Sequence, residues 1–205
     1  GYGLLFDAGC GMVFKDNSEG SYVELEAAKE IDYYFMKGRT LDGVVANYRL
    51  LTGASPMMPL HLFGYIQSKE RYVSSDDLIN TLKEYRQRQI PIDMIVQDWN
   101  YWPRGQWGRM SMDPKHYPDK KKLADEIHSL HAKLMISIWP NAMNCPQQED
   151  FKRKGLLLNG TSVYDAFNPS ARELYWSYAN KEFFSNGFDA WWVMLQNRWM
   201  PTGLL

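Results

Sequence analysis

The chain has 205 residues, a formal net charge of -1 at pH 7, 45% apolar and 23% charged side chains. That balance belongs to globular chains and excludes the basic footprint of a nucleic-acid-binding surface. No run approaches ~20 apolar residues, so no membrane span is expected, and two cysteines, Cys10 and Cys145, make neither a disulfide framework nor a zinc site. Aromatic residues reach 15%, with eight Trp and thirteen Tyr. Flat apolar rings suit sugar-binding clefts, and they equally suit tightly packed interfaces. No charged-then-apolar leader follows Gly1, so any targeting signal is absent or lost upstream and no compartment is assigned.

From Gly1 to about Met36 the chain reads as β-structure. Tyr2–Phe6, Val13-Phe14, Ser21–Leu25 and Ile31–Met36 are short β runs separated by Gly9, Gly11 and a polar turn over 15–21. So few strands make no stable sandwich alone, which suggests the tail of a larger β-domain over 1–36. Thr40 then caps a predicted helix with Leu41, Val44, Val45 and Tyr48 at helical spacing, closed by Thr52-Gly53, giving a helical linker over 37–56.

After Pro56 and Pro59 strands and helices alternate. Leu60–Ile66 is predicted as a strand, followed by a helix capped at Ser74 or Ser75 and carrying Leu78, Leu82 and Tyr85. Ile92–Val96 is a second buried strand, Lys120–Ala132 a helix, Leu134–Trp139 a strand, Ala171–Phe184 a helix, and Phe188–Trp192 a fourth strand. Repeated βα units imply an α/β fold with a parallel sheet, open or closed into a barrel. No glycine-rich phosphate loop follows any strand, which favours the barrel.

Functional groups of such a barrel sit where strands end. The strand ends here supply Gln67, the cluster Gln97-Asp98-Trp99-Asn100-Tyr101-Trp102, Trp139-Pro140-Asn141 and the 192–194 region. Asp98 follows a buried strand and is flanked by three rings, so it can accept hydrogen bonds from two sugar hydroxyls while Trp99, Tyr101 or Trp102 shapes a wall. The plainer alternative is that Asp98 caps a loop and the rings pack beneath it. Trp139 carries the same choice between core packing and a stacking platform. The four histidines show no metal-ligand spacing, and His128 with His131 reads as a solvated or partly packed helix face. Lys120-Lys121-Lys122 opposes the helix dipole and reads as solvated surface. Asn159-Gly160-Thr161 matches a glycosylation sequon, a triplet common by chance.

Several segments together resemble glycoside hydrolase family 31: Met57-Met58-Pro59-Leu60 with Gly64–Tyr72, Tyr85-Arg86, Ile90–Asp93 with Gln97-Asp98-Trp99, His116–Asp119, and Ile136–Pro140. The Gln-Asp-Trp and double-Trp variants are most similar to the α-xylosidase and bacterial α-glucosidase branches. The resemblance implies a β-sandwich preceding a (β/α)8 TIM barrel, with residues 57–192 supplying the first four βα units. It also implies retaining hydrolysis of α-linked xylosides or glucosides, an oligosaccharide or α-glycoside substrate, and no metal or cofactor. On that resemblance Asp98 would bind hydroxyls of the sugar at the cleavage subsite and Trp139 would form part of its wall. Trp192, or alternatively Trp191, is the third residue expected to contact the substrate.

The mechanism needs two carboxyl groups about 5 Å apart. The family carries its nucleophile in a Trp-x-Asp-x-x-Glu-Pro pattern, which places Met194 on the nucleophile and Asn197 and Arg198 on the Glu and Pro. The acid/base aspartate lies well beyond the nucleophile, so this chain is expected to lack both carboxylates. Back-translation of residues 193–205, read two bases later, permits Asp-Ala-Thr-Glu-Pro directly after Trp192 and one further residue. The expectation is a frameshifted tail, which coding DNA unable to yield that motif would refute. Four βα units also leave two unpaired sheet edges, so instability or aggregation of the isolated chain is expected. The alternatives kept open are a non-catalytic carbohydrate-binding remnant and a product with no function.

Overall fold

In the computed structural model residues 1–194 are described, and they fall into two compact units that divide at Met57/Met58. The first unit holds two antiparallel ribbons. One pairs β1 (Tyr2–Phe6) with β4 (Tyr33–Lys37), and the other pairs β2 (Met12–Asn17) with β3 (Gly20–Leu25). Helix α1 (Leu41–Thr52) follows, begun by Thr40, whose hydroxyl accepts the Gly43 N–H, and ended at Gly53. Met36 is the one core-grade apolar side chain of this unit; most of the rest stay at least partly exposed.

The second unit is an α/β layer built on a four-stranded parallel sheet in the order β5 (Ile66-Gln67), β6 (Met94–Gln97), β7 (Lys133–Ile138), β8 (Ala190–Val193). The parallel ladders put Met94 beside Lys133, Gln97 beside Ile136, and Ser137 beside Trp192. Side chains of such partners share a face. One face therefore carries Ile95, Leu134, Ile136, Ile138 and Trp191, and it packs on helices. Helix α2 (Ser75–Gln87) contributes Leu78, Ile79 and Leu82, and α3 (Lys120–Ser129) contributes Leu123, Ala124 and Ile127. Ser74 and Asp119 cap these helices, accepting the Asp77 and Lys122 N–H groups at 3.1 and 2.9 Å. Both caps follow from residue type, since short polar side chains satisfy the free amides of a first turn.

Helix α5 (Pro169–Glu182) starts at the Asn168 cap and delivers Ala179, with Phe183 just beyond it, to the same core. Each fully buried Leu or Ile of that layer contributes roughly 1.5–3 kcal/mol, which makes this layer the main source of stability.

Three sequence expectations need correction. Residues 60–63 form a 3₁₀ turn, not a strand, and only Ile66 and Gln67 pair with β6. Leu60 and Phe63 are exposed, so their apolar character reflects no local burial. Helix α4 (Pro146–Arg153) was not expected. Its eight residues include a single large apolar side chain, Phe151, too few to show a period, and it begins at Pro146, whose ring suits a first helical position. Lys120 is not simply solvated, since it pairs with Glu182, whereas His128 is partly packed, with its Nε2 2.7 Å from Asp189.

Among the described residues β5 and β8 are the edges of the sheet, and no helix is long and apolar enough to cross a membrane.

Candidate active site

The second face of the sheet is the one that carries the expected site residues. It runs through Met94 and Val96 on β6, Met135 and Ser137 on β7, and Ala190 and Trp192 on β8. Asp98, Trp139 and Met194 are the first residues after β6, β7 and β8, where an unbroken alternation would put them on this face, and the Met194 N–H still donates to Ile138 O at 2.9 Å. All four expected positions, Asp98, Trp139, Trp192 and Met194, thus lie at the C-terminal ends of adjacent strands. Exposure grows toward the β8 edge: Met94 and Val96 are fully buried, while Trp192 is 41% exposed. Asn197, Arg198 and the rest of the tail lie outside the described residues.

Asp98 is partly buried. Its Oδ1 accepts the Trp99 N–H at 2.7 Å, and its Oδ2 lies 3.4 Å from the Ser68 hydroxyl. The buried Ser137 hydroxyl faces the same carboxylate and favours its charged form, although it makes no hydrogen bond of ordinary geometry. Burial pushes the Asp98 carboxyl up. The hydrogen bonds from Trp99 and Ser68 and the nearby Ser137 hydroxyl oppose that rise, Glu70 nearby adds to it, and the net lies above the ordinary aspartate value. A carboxylate with spare lone pairs, set among neighbours at the C-terminal ends of three adjacent strands, is well placed to accept hydroxyl protons from a ligand.

Trp139 is half-buried, and its carbonyl accepts the Tyr175 hydroxyl at 3.0 Å. Its ring stands edge-to-face with Trp107 at 5.3 Å, and Trp107 in turn contacts Trp99 at 6.3 Å. Of the three rings beside Asp98, only Trp99 stays partly open. Tyr101 and Trp102 are buried, with Tyr101 donating to Ser137 O at 2.9 Å and packing on Phe183. The plainer reading is therefore right for those two rings: they pack beneath the loop. Trp191 likewise faces the helix side, edge-on to Phe183 and Trp176.

Sequence reasoning missed Ser68, Ser137 and Trp107. Ser137 was legible, because it stands two residues before Trp139 on a strand and so shares its face. Trp107 had only its neighbours Gly105 and Gly108 as a signal. Four buried polar atoms without a partner in the protein belong to this region: Ser137 Oγ, Trp139 Nε1, Asn141 Oδ1 and Trp107 Nε1. Native interiors satisfy most such groups, so a cluster of them marks a place where water or ligand belongs. Among the described residues no three His, Cys, Asp or Glu side chains converge as metal ligands.

The sequence profile of the Glycosyl hydrolases family 31 TIM-barrel domain matches residues 55–199. The α-xylosidase of Saccharolobus solfataricus is 41% identical over 194 residues, covering 94% of this chain and 26% of that protein. Among solved structures, a family 31 α-xylosidase from Xanthomonas citri superposes with a TM-score of 0.76 and 37% identity, covering 83% of this chain and 20% of that one. A soil-metagenome α-xylosidase complexed with xylose gives a TM-score of 0.80 at 28% identity, over 94% of this chain and 30% of that one. The chain spans about a quarter of the length of the curated relatives it matches. With a family profile matched over most of its length, the chain belongs to glycosyl hydrolases family 31.

Proposed function

We propose that this chain is part of an α-glycosidase that hydrolyses α-linked xylosides or glucosides with retention, and that its own share of the work is to hold the sugar. The observation that carries the reading is the placement of Asp98 with Ser68, Ser137 and Trp139 at the C-terminal ends of parallel strands, the working end of a TIM barrel. Asp98 accepts hydrogen bonds from two sugar hydroxyls, Trp139 forms the wall beneath the ring, and Trp192 closes the side toward the β8 edge. The xylosidase names of several of the best-matching relatives support a xyloside first and a glucoside second. We assign 1–36 to the end of a β-sandwich, 37–56 to a helical linker, and 57–192 to the first half of the barrel. The unit boundary at Met57/Met58 and the profile match from residue 55 support that division.

Met194 stands where the family's nucleophile is expected, two residues after Trp192. A thioether cannot attack the anomeric carbon and then release the sugar as a carboxylate does. The 205-residue chain therefore binds α-xylosides without hydrolysing them, and we assign residues 193–205 to an aberrant, frameshifted tail. The family profile extends to residue 199, so the coding DNA decides that point.

The experiment is a pair of assays on the purified chain. Equilibrium binding of methyl α-xyloside should be measurable and should disappear in Asp98→Ala, and aryl α-xyloside and aryl α-glucoside should survive unhydrolysed. A version restoring Asp-Ala-Thr-Glu-Pro and the second barrel half should hydrolyse them. Turnover by the 205-residue chain would make another carboxylate the nucleophile, and binding that ignores Asp98→Ala would remove the site.

A further inference from the structure

Residues 103–110 are stitched to residues 141–147. The Trp107 carbonyl accepts the Met143 N–H at 2.9 Å and the Asn141 side-chain amide at 3.4 Å. The Asn144 amide donates to Gly105 O at 3.2 Å. The Gln147 side chain, buried, both accepts from Met110 N–H at 2.9 Å and donates to Met110 O at 3.0 Å. Gly108 lies against Asn141 so closely that a Cβ would overlap its carbonyl oxygen, and its φ of +76° is a glycine conformation. Two loops that follow different strands are thus tied into one piece, and Trp107 is the partly buried ring that this piece carries against Trp139.

We infer that Trp107 is a positioning residue: it fixes the orientation of Trp139, and through Trp139 the shape of the wall opposite Asp98. The indoles meet edge-to-face at 5.3 Å and 69°, a geometry that resists rotation of either ring. The buried Nε1 of Trp139 makes no hydrogen bond within the protein, so the packing of its ring, with Trp107 edge-on to it, sets its orientation. The Nε1 of Trp107 is likewise without a protein partner, and the backbone stitching described above positions that ring. That places the control of the wall in a loop after β6, one strand away from the residue it controls. The inference rests on the sugar-binding reading of Asp98 and Trp139 for its consequence, but its geometric part stands alone.

Two readouts separate these layers. The first is the circular-dichroism couplet of two close indoles, measured on the 205-residue chain with Trp107→Phe, Trp139→Phe and the double variant. The couplet lost in Trp139→Phe should be contained in the larger loss of Trp107→Phe, which also removes the contact with Trp99, and the double variant should lose no more than Trp107→Phe. Independent, additive losses would overturn the claim that the two rings hold each other. The second is equilibrium binding of methyl α-xyloside. Trp107→Ala should weaken binding by about tenfold, or about 1.4 kcal/mol, while Trp107→Phe, which keeps a ring edge against Trp139, should stay within about threefold. Wild-type affinity in Trp107→Ala would overturn the positioning role even if Asp98→Ala abolishes binding. No binding by the unsubstituted chain would overturn the sugar reading instead, and the couplet would then decide the fate of Trp107.

Discussion

Two aspartates stand at opposite ends of the same parallel sheet, and their carboxyl groups move in opposite directions. Asp189 precedes β8 at the N-terminal end, where it receives Leu134 N–H, His128 and Lys133 at 2.9, 2.7 and 2.9 Å. Burial pushes this carboxyl up, but the three partners outweigh it and leave the group below its ordinary value. Asp98 follows β6 at the C-terminal end, where burial wins and the group sits above its ordinary value. The same contrast holds for their surroundings. At the N-terminal end Arg86 satisfies three carbonyls, Leu130 O, Ile92 O and His131 O, each at 2.8 Å. At the C-terminal end Ser137, Trp139 and Asn141 keep unpartnered polar atoms. One end is saturated and holds the fold, and the other is left open at a cost that a ligand can offset.

The largest expected effect tests whether the open end is nevertheless stiff. Gly108→Ala should cost about 3 kcal/mol, from a left-handed backbone at roughly 1–2 kcal/mol and overlap with Asn141 O at roughly 1–3 kcal/mol. Urea denaturation of the two proteins measures it directly. A shift within experimental scatter would mean that the two loops part freely and that the rim is soft.

Asp189→Asn comes next, at about 2 kcal/mol at neutral pH. It removes a charged acceptor from three donors, and the partial exposure of Lys133 and His128 moderates the loss. The sign with pH is fixed by the lowered carboxyl. Its stabilisation is present above the unfolded value near ~3.9 and fades as pH falls through the lower folded value. Denaturation curves of wild type and variant should therefore converge in acid. A gap that stays constant down to low pH would show that the ion pairs contribute nothing. Arg86→Ala should cost about the same or slightly less, roughly 1.5–2 kcal/mol, because three carbonyls lose a charged donor but one of them, His131 O, is near solvent. Hydrogen exchange should then rise at the loops following α2 and α3 and leave β6 to β8 protected.

The saturated end was harder to read in the sequence than the open one. Asp98 and Trp139 announce themselves by standing directly after buried strands, and the period of two then places Trp192 and Met194 on their face. Asp189 was read as part of a strand, because nothing local shows that a lysine 56 positions earlier and a histidine one helix away converge on it. Arg86 was legible only as a helix residue, since its acceptors are backbone carbonyls, which carry no sequence identity. The same limit hid Trp107, whose position depends on Gln147 and Asn141 reaching back from a later loop. Helix periods, caps and strand order came through because they depend on near neighbours: Thr40, Ser74 and the 3.6-residue spacing of Leu78 and Leu82 suffice. The strand expected over 60–66 failed for the converse reason, since apolar residues next to Pro59 lack the partners that make a strand.

The smallest stability effect has the opposite sign and is the sharpest test of the contrast. Asp98 carries a raised carboxyl, so its charged form is worse off in the folded chain than in the unfolded one. Any advantage is present below the unfolded value near ~3.9 and is lost as pH rises through the higher folded value. At neutral pH Asp98→Asn should therefore match the wild type in stability or exceed it by up to about 1 kcal/mol. The amide keeps an acceptor for the Trp99 N–H, so the loop should not rearrange. Binding of methyl α-xyloside should fall by more than tenfold in the same variant, because a charged acceptor contributes roughly 1.5–3 kcal/mol where a neutral one contributes about half. A variant that loses stability while keeping affinity would reverse the assignment of the two ends: Asp98 would then be a capping residue like Asp119, and the open end would owe its unpartnered atoms to water alone.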